Sequence, residues 1–403
     1  MSDFAIVLRS LRARLFSTIV TSLTVAIAVA LLLTLQSIQV AGTSAFLRGS
    51  GNAPLLVSAD AGPLVSVLNA IFYANPPQRA LTKAKVDEVV SSFPWAWAIP
   101  MQQGDSYRGF PTLATTPRFL SDFQPVDGEP WQMAEGRAFQ GDFELVLGAT
   151  VAGETGLTIG SSVHLTHGSD AAHGHEHAIY PFTVVGILAP SGSPHDRALL
   201  TSLESSWILH AHDRREAAEH HGAETDEDHE HGEEAEKPLT AADLTDEDRM
   251  VTGLLLRLPT REGFGVSAAM QSQFDRLRRD PGLTVANPAD QIGKLLAIVS
   301  RVDFLFVAMA GAILVGSAIS ILLALYNSMH ERRRQVAIFR VLGCTKARVM
   351  GFVLTESACI GLVGAVAGIL FSLLGSLAAA LYLKHEVGLS LGIGVDPRSA
   401  IPY

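Results

Sequence analysis

Three long runs without a charged side chain dominate the hydrophobic pattern of this 403-residue chain. They cover residues 15–47, 304–329 and 357–383, and each is longer than the roughly 20 apolar residues that a helix needs to cross a bilayer. The pattern therefore predicts a membrane protein with an α-helical transmembrane bundle in which three spans are present.

The first run also has features of a secretory signal, because Arg9, Arg12 and Arg14 precede it as a basic n-region would. The apolar core of a signal, however, is about 7–15 residues long and ends at a small-residue cleavage site. The charge-free run here is far longer than that. We therefore expect an uncleaved anchor that follows a cytoplasmic amphipathic segment at residues 1–14.

The charges that flank these runs predict their orientation. Residues 330–350 carry six Lys or Arg against a lone Glu331, and loops rich in Lys and Arg tend to stay in the cytoplasm. The region between the first two runs, residues 41–303, instead holds 19 basic and 35 acidic residues. We expect a multi-pass membrane protein whose large central domain is extracytoplasmic.

Three spans would leave the C-terminus outside as well. Pro397 and Pro402 resemble the approach to another helix, so a fourth span is expected beyond the end of this chain. The predicted order is a cytoplasmic segment (1–14), a first span (15–47), an outer domain (48–288), a stalk with the second span (289–329), a cytoplasmic connector (330–350), a third span (351–383) and an outer tail (384–403).

The outer domain has the pattern of an α+β fold. Short apolar stretches bounded by Gly and Pro predict strands, and apolar residues at helical spacing predict helices. Asn287 and Pro288 then end the domain, and residue 289 begins a helix that is expected to continue into the second span as a stalk. The predicted strands are 145–147, 163–165, 182–188, 253–258 and 283–286, and the predicted helices are 83–92 and 261–278.

Twelve of the fourteen histidines lie between His164 and His231, among a dense run of Asp and Glu. Imidazole is the commonest ligand for zinc and also suits copper and nickel. The histidines are predicted to lie in two loop insertions, 164–178 and 210–236, that offer several weak metal sites. The alternative is a solvated acidic linker without a metal. The candidate ligands are His164, His167, His173, His175, His177, His210, His212, His220, His221, His229 and His231.

Other candidate chemistry is sparse. Residues 193–196 include Ser, His and Asp, but turn formation in a Gly- and Pro-rich loop explains them better than catalysis. Glu356, near the start of the third span, is either functional or interfacial. Cys344 and Cys359 both lie outside the outer domain, so neither a disulfide nor a Cys-based zinc site is expected there.

The connector carries the most diagnostic sequence, E-R-R-R-Q-V-A-I-F-R-V-L-G-C-T-K-A-R-V at residues 331–349. It resembles the segment after the second span in FtsX/MacB-like permeases of ABC transporter systems, with Gln335 where an acid is usual and Cys344 where Ala is usual. The resemblance implies that this segment docks on a cytoplasmic ABC ATPase subunit. The coupling residues implied are Glu331, Arg332, Arg333, Arg334, Arg340 and Gly343.

The outer region is similar to the same family's membrane-proximal core domain, in short motifs at residues 135–137, 146–148, 159–160 and 182–188. The order of elements agrees from residue 1 to about residue 383. The resemblance implies four spans in the bacterial inner membrane, a homodimer embedded in membrane lipid, and outer domains that change posture when the partner ATPases close. That motion would expel or release a client.

No G-x-x-x-x-G-K-[ST] motif occurs in the chain, so ATP hydrolysis is assigned to a partner subunit and the chain is not expected to be an enzyme. The family resemblance, the lack of this motif and the histidines together predict a permease subunit linked to a divalent metal, with zinc as the first candidate. A periplasmic metal-binding or adaptor protein is a candidate partner, and nucleic acid is not. Three alternatives stay open: export of a peptide, lipid or lipoprotein without a metal, a non-transporting scaffold that regulates an envelope enzyme, and a metal-binding receptor without an ATPase.

Overall fold

The computed structural model describes residues 9, 11–12, 15–167, 179–223, 238–260, 267–331, 341 and 345–386. They form two compact units, which we name the helical unit, within Met1–Thr43 and Leu296–Glu386, and the sheet unit, within Ser44–Leu295. The helices are α1 (Leu15–Arg48), α2 (Pro63–Phe72), α3 (Lys83–Ser91), α4 (Arg118–Ser121), α5 (Ala149–Thr155), α6 (Leu203–Ala223), α7 (Met270–Arg278), α8 (Pro288–Glu331) and α9 (Lys346–Glu386). The strands are β1 (Leu55–Ser58), β2 (Trp97–Tyr107), β3 (Phe110–Thr115), β4 (Met133–Gly136), β5 (Glu144–Leu147), β6 (Ser162–Val163), β7 (Thr166–His167), β8 (Phe182–Leu188), β9 (Leu199–Ser202), β10 (Gly253–Arg257) and β11 (Thr284–Ala286).

Two helices of the helical unit are long and apolar enough to cross a membrane. These segments are Thr18–Ser37 in α1 and Lys346–Ala379 in α9. The second predicted span falls in α8, where the apolar segment found among the described residues is the shorter Val307–Gly316. Two candidate spans are therefore present in the described part of the chain, and a third stays a prediction.

Helices α1 and α9 pack closely because glycines of α9 face α1. A Cβ atom on Gly364 would lie 2.8 Å from the Ser22 carbonyl oxygen, and one on Gly368 would lie 2.7 Å from that of Ala26. Small residues at such contacts let two helix backbones approach, which is a common basis of helix association in membranes. The Ser22 hydroxyl also donates to the Ile360 carbonyl oxygen at 3.3 Å.

The sheet unit is built on one mixed sheet. Its described strands follow the order β11-β1-β10-β2-β3-β9-β5-β8-β4, with β6 added to β8 and β7 added to β2. Most neighbours are antiparallel, whereas β3 with β9 and β5 with β8 are parallel. Chain segments distant in sequence therefore meet at the sheet centre.

Among the described residues, two clusters of buried apolar side chains lie against this sheet. One forms around β1 and β10 and includes the buried Leu55, Val57 and Leu254. The other forms around β5 and β8, and includes Leu145 and Phe182. Strand β8 alternates buried and more exposed positions along its length, as a strand with one covered face does.

Most predicted elements of the sheet unit are confirmed within one or two residues. Helix α3 covers the helix predicted at 83–92, and β5, β8, β10 and β11 cover four of the predicted strands. Helix α8 begins at Pro288 and is continuous to Glu331. The Asn287 side chain accepts a hydrogen bond from the Asp290 amide, so the Asn-Pro pair starts this helix as a cap followed by proline at its first position.

Three predictions need correction. The strand predicted at 163–165 is two short strands, because β6 pairs with β8 while β7 pairs with β2, and the chain crosses between them at His164. The helix predicted at 261–278 begins only at Met270, and residues 261–266 lie outside the described residues.

The third correction concerns the loop predicted at 210–236, because residues 210–223 are helical. Helix α6 buries Leu203, Ile208, Leu209 and Ala211 against the sheet. Its later residues are rich in Ala, Glu and Arg, which favour helix, so the helix continues into the histidine-rich stretch. Residues 224–236 lie outside the described residues.

Candidate metal centre

The structure brings two of the predicted histidine ligands together with an aspartate that the sequence did not suggest. One nitrogen of His167, one nitrogen of His210 and a carboxylate oxygen of Asp105 lie within 4.8 Å of one another. We name these three residues the Asp-His-His cluster. Each comes from a different element, namely β2, β7 and α6.

A β-bulge lies at the Asp105 position of β2. Gln103 pairs with Leu113 and Ser106 with Pro111, so β2 has one residue more than β3 between these pairs. Gly104 within the bulge has φ of +155°, a conformation that residues with a side chain rarely adopt. Bulges often redirect a side chain beside a functional site, and this one places Asp105 beside both imidazoles.

His167 is brought to the cluster by strand pairing. Its strand β7 pairs antiparallel with β2, and His167 lies directly opposite Asp105. The His167 Nδ1 atom donates to Asp105 Oδ1 at 3.3 Å. The His167 side chain is 57% exposed, so the cluster is open to solvent on this side.

His210 is brought to the cluster by helix α6. The helix is fixed near this point by Trp207, whose indole nitrogen donates to the Met250 carbonyl oxygen at 2.6 Å, and by Arg214, whose guanidinium pairs with Asp248 at 2.6 Å. The His210 Nε2 atom donates to Asp105 Oδ1 at 3.1 Å. The two imidazole rings of the cluster meet edge to face with centroids 5.3 Å apart.

The cluster combines a buried negative charge with two imidazoles. The Asp105 side chain is 4% exposed. Burial, the largest influence, would raise the pKa of Asp105, but attraction to His210 and hydrogen bonds from both imidazoles together hold that pKa well below its usual range. The hydrogen bond to Asp105 in turn raises the pKa of His167. The carboxylate is therefore ionised at neutral pH.

This donor set suits a transition metal. Tetrahedral zinc takes histidine nitrogen and carboxylate oxygen at about 2.0–2.2 Å, which requires ligand atoms about 3.3 Å apart. The two distances from Asp105 Oδ1, 3.3 and 3.1 Å, already match that spacing. Calcium and magnesium prefer oxygen ligands throughout, so two imidazoles favour zinc, copper or nickel.

His164 and His212 lie outside the cluster, although both are close to it in sequence. The His212 ring meets Tyr180 edge to face with centroids 5.5 Å apart, whereas His210 faces Asp105. An extended His-x-His pair would present both rings on one side, but α6 is helical and turns them apart. His210 and His212 therefore do not form such a pair.

The other predicted ligands are not positioned by the structure. His173, His175, His177, His229 and His231 lie outside the described residues, and His220 and His221 are described only as part of the helix α6 backbone. The same holds for most of the coupling residues. Glu331 ends helix α8, whereas Arg332, Arg333, Arg334, Arg340 and Gly343 lie outside the described residues.

The Ser, His and Asp at residues 193–196 have structural rather than catalytic contacts. Asp196 accepts hydrogen bonds from the Ser191 and Gly192 amides, which closes the loop. His195 is buried with aromatic rings around it, those of Tyr73, Phe119, Phe123 and Trp131. The Asp196 contacts agree with the turn formation that the sequence indicated, whereas the burial of His195 among aromatic rings was not predicted.

Asp105 was missed because its pattern is that of an ordinary strand. The weak signal was the polar run Gln102-Gln103-Gly104-Asp105-Ser106 inside an 11-residue strand, all of it buried or half-buried. A glycine inside a strand often marks a bulge. Only the pairing of β2 with both β3 and β7 identifies which side chain the bulge redirects.

Comparison with known proteins supports the family resemblance. The model for the MacB-like periplasmic core domain matches residues 18–226, which is more than half of the chain, and the model for the FtsX-like permease C-terminal matches residues 307–401. Among curated proteins none matches.

A solved structure is also similar, namely the extracellular domain of the noncanonic ABC-type transporter YknZ from Gram-positive bacteria. It shares 9% identity over 57% of this chain and 98% of that chain, with a TM-score of 0.29, which is too low to support an argument. The two family models, which match in the expected order, show that this chain belongs to the FtsX/MacB-like family of ABC transporter permeases.

Proposed function

We propose that this chain is the permease subunit that couples a partner ABC ATPase to motion of its extracellular α+β domain, and that this domain responds to a divalent metal, zinc first. The observation that carries the proposal is the pair of family matches, one over the sheet unit and one over the C-terminal helices. The metal part is supported by the Asp-His-His cluster.

The partner ATPase follows from the division of labour in this family. A permease of this type works with a cytoplasmic ATPase, and this sequence contains no phosphate-binding G-x-x-x-x-G-K-[ST] motif. The basic connector at residues 330–350 is the proposed docking segment. Its arginines would form ion pairs with the ATPase, and its apolar residues would pack against the ATPase surface.

The proposed arrangement in the membrane follows the charge distribution. Helices α1 and α9 supply two spans, and a third is proposed in α8. The acidic sheet unit lies outside the inner membrane of the cell, with the connector inside. Two copies of the chain, held in lipid, would pair with two ATPase subunits. A periplasmic metal-binding or adaptor protein is a proposed further partner.

The ATPase coupling is tested by reconstitution. The chain is co-expressed with a candidate ABC ATPase from the same organism, purified in lipid nanodiscs, and assayed for ATP hydrolysis. Arg340→Glu reverses a charge in the connector and should abolish co-purification. Arg278→Glu, an exposed position at the end of α7, is the matched charge reversal and should leave the complex intact. Equal co-purification of both variants would overturn the coupling.

The metal response is tested in the same preparation. Zinc added to a chelator-treated complex should change its ATPase rate several-fold, and magnesium in excess should not substitute. A rate that zinc leaves unchanged would favour export of a peptide, lipid or lipoprotein without a metal. An envelope hydrolase that co-purifies, with no transported client, would favour the scaffold alternative.

A further inference from the structure

We propose that the Asp-His-His cluster is a regulatory zinc site whose occupancy clamps helix α6 to strands β2 and β7. This inference rests on the proposed function only for its link to the ATPase. The site itself is argued from the three side chains and the elements that hold them.

The cluster is suited to a clamp because its ligands come from three elements far apart in sequence. Asp105 is separated from His167 by 62 residues and from His210 by 105 residues. A metal bound by all three would join the β2 bulge, the β7 strand and the α6 helix at one point. A ligand that binds one conformation in preference stabilises that conformation by mass action.

Strand β7 is the weakest of these three elements without such a clamp. It is a two-residue strand paired only to β2 among the described strands, and the His167 ring is more than half exposed. The hydrogen bonds from the imidazoles to Asp105 hold it in the metal-free state. A metal would replace these two hydrogen bonds with coordinate bonds to the same atoms, and each imidazole would then carry its proton on the other ring nitrogen.

Burial of the Asp105 carboxylate favours the binding of a cation at the cluster. A carboxylate taken out of water needs hydrogen bonds and a compensating charge. His167 and His210 supply the hydrogen bonds to Asp105. A divalent cation bound between the three side chains would supply the compensating charge.

The number of ligands indicates an exchangeable site. Structural zinc sites are closed by four protein ligands, whereas three protein ligands leave one position for water or an incoming group. Among the described residues the cluster contains three ligands. With the exposed His167 on its outer side, the open position would face solvent, so the metal can enter and leave as its concentration changes.

The experiment uses the full chain in nanodiscs and Co²⁺ as a spectroscopic probe for zinc. Four-coordinate Co²⁺ absorbs far more strongly in the visible than the six-coordinate ion, so the cluster is distinguished from weak binding by histidine-rich segments. We expect a band that saturates at one equivalent and that zinc removes by competition.

Asp105→Asn, His167→Gln and His210→Gln should each weaken Co²⁺ affinity at least tenfold, since loss of even a supporting group typically costs about 10–100-fold. His212→Gln is the matched control, because it lies on the same helix outside the cluster and should retain the band. Of the three variants, His167→Gln is the least expected to disturb folding, because the His167 ring is the most exposed of the three.

The clamp is tested by hydrogen exchange of the α6 amides. Zinc should slow exchange over residues 203–215 at least tenfold in the unsubstituted chain and in His212→Gln, and should have no effect in His210→Gln. Exchange that zinc leaves unchanged in the unsubstituted chain would overturn the clamp.

Failure of the site and failure of the proposed function give different results. If all three cluster variants keep the Co²⁺ band, the site is wrong, even where zinc still alters the ATPase rate through other histidines. The Co²⁺ band and the slowed exchange of α6 could both depend on the cluster while zinc leaves the ATPase rate unchanged. In that case the site is supported and the metal response in the proposed function is wrong.

Discussion

His195 Nε2 donates a hydrogen bond of 3.2 Å to the carbonyl oxygen of Gly49, the residue that directly follows helix α1. The other ring nitrogen lies 2.6 Å from the Tyr73 hydroxyl. Since Nε2 carries the proton, Nδ1 of the neutral ring accepts from Tyr73, and it is this second bond that requires the neutral ring. Within the sheet unit, a buried imidazole therefore connects Gly49 to Tyr73.

The buried, hydrogen-bonded His195 predicts that the protein loses stability in mild acid. Burial, partly opposed by the bond to Gly49, lowers the pKa of His195 from 6.5 to about 4. A folded-state pKa below the unfolded value means that stability is fully present above pH 6.5 and is lost as the pH falls toward 4. Thermal unfolding of the purified chain should show a lower midpoint at pH 5 than at pH 7.

His195→Gln is the control for this loss, because glutamine keeps hydrogen-bonding groups without titrating in this range. Its overall midpoint should be lower, but its decline between pH 7 and pH 5 should be shallower than that of the unsubstituted chain. Parallel curves for the two proteins would show that His195 does not cause the acid sensitivity.

A second prediction concerns the glycine that packs against the same loop. A Cβ atom on Gly148 would lie 2.4 Å from the Asp196 carbonyl oxygen and 2.6 Å from that of His195. Gly148→Ala should therefore destabilise the sheet unit by about 1–3 kcal/mol, as overpacking of a close contact does. Urea unfolding measures the change.

Gly153→Ala is the matched control, five residues further on in helix α5. A Cβ atom there meets nothing within 4 Å. Alanine in a helix is favoured over glycine by about 0.5–1 kcal/mol, so this variant should be neutral or slightly more stable. Equal losses in the two variants would contradict the steric argument.

The third prediction tests the contact between α1 and α9. Gly364→Val and Gly368→Val would place methyl groups against the α1 backbone, where even a Cβ has less than 3 Å of room. Both variants should lower the thermal midpoint in detergent, and both should weaken crosslinking between cysteines introduced in the two helices.

Gly361→Val makes the same change on the same helix at a position where a Cβ meets nothing within 4 Å. It should leave both measurements near those of the unsubstituted chain. If Gly361→Val is as damaging as Gly364→Val, the effect comes from the valine itself rather than from the helix contact.

The fourth prediction concerns an ion pair that closes the turn before β5. Arg137 makes a two-point pair with Glu144, whose carboxylate also accepts from the Gln140 and Gly141 amides. The hydrogen bond from Arg137, opposed by partial burial, lowers the pKa of Glu144 from 4.5 to about 2.

The stability from Glu144 is therefore present above pH 4.5 and is lost as the pH falls toward 2. Glu144→Gln should lower the thermal midpoint at pH 7 and flatten its fall between pH 4.5 and pH 3. Glu135→Gln, an exposed carboxylate nearby, is the comparison and should change neither. A Glu144→Gln curve parallel to that of the unsubstituted chain would contradict this role.

Much of the sheet unit could be predicted because local pattern and tertiary burial agree there. Residues 182–188 are mostly apolar and β-branched and form a strand with alternating burial, and the Asn287-Pro288 pair both ends the domain and starts a helix. The residues 210–223 misled the prediction. Their histidines and acids resemble a solvated loop, but the apolar residues of the preceding turns anchor a helix that continues through them.

The Asp-His-His cluster could not be predicted from the sequence in the same way. The histidine-rich composition drew attention to His167 and His210, yet it did not distinguish them from nine other candidates. Asp105 had no local signal beyond a polar strand with a glycine. Its role depends on a register shift between β2 and β3 and on a pairing with β7 some 62 residues away.

The sequence by itself determined the family, the apolar helices, the α+β character of the sheet unit and the abundance of metal ligands. These properties depend on composition, short-range periodicity and motif order, all of which are local. The tertiary structure decided which ligands meet, since three side chains from β2, β7 and α6 converge only after long-range strand pairing and helix packing. It also decided that His195 is a buried core residue, because only the fold surrounds its imidazole with aromatic rings.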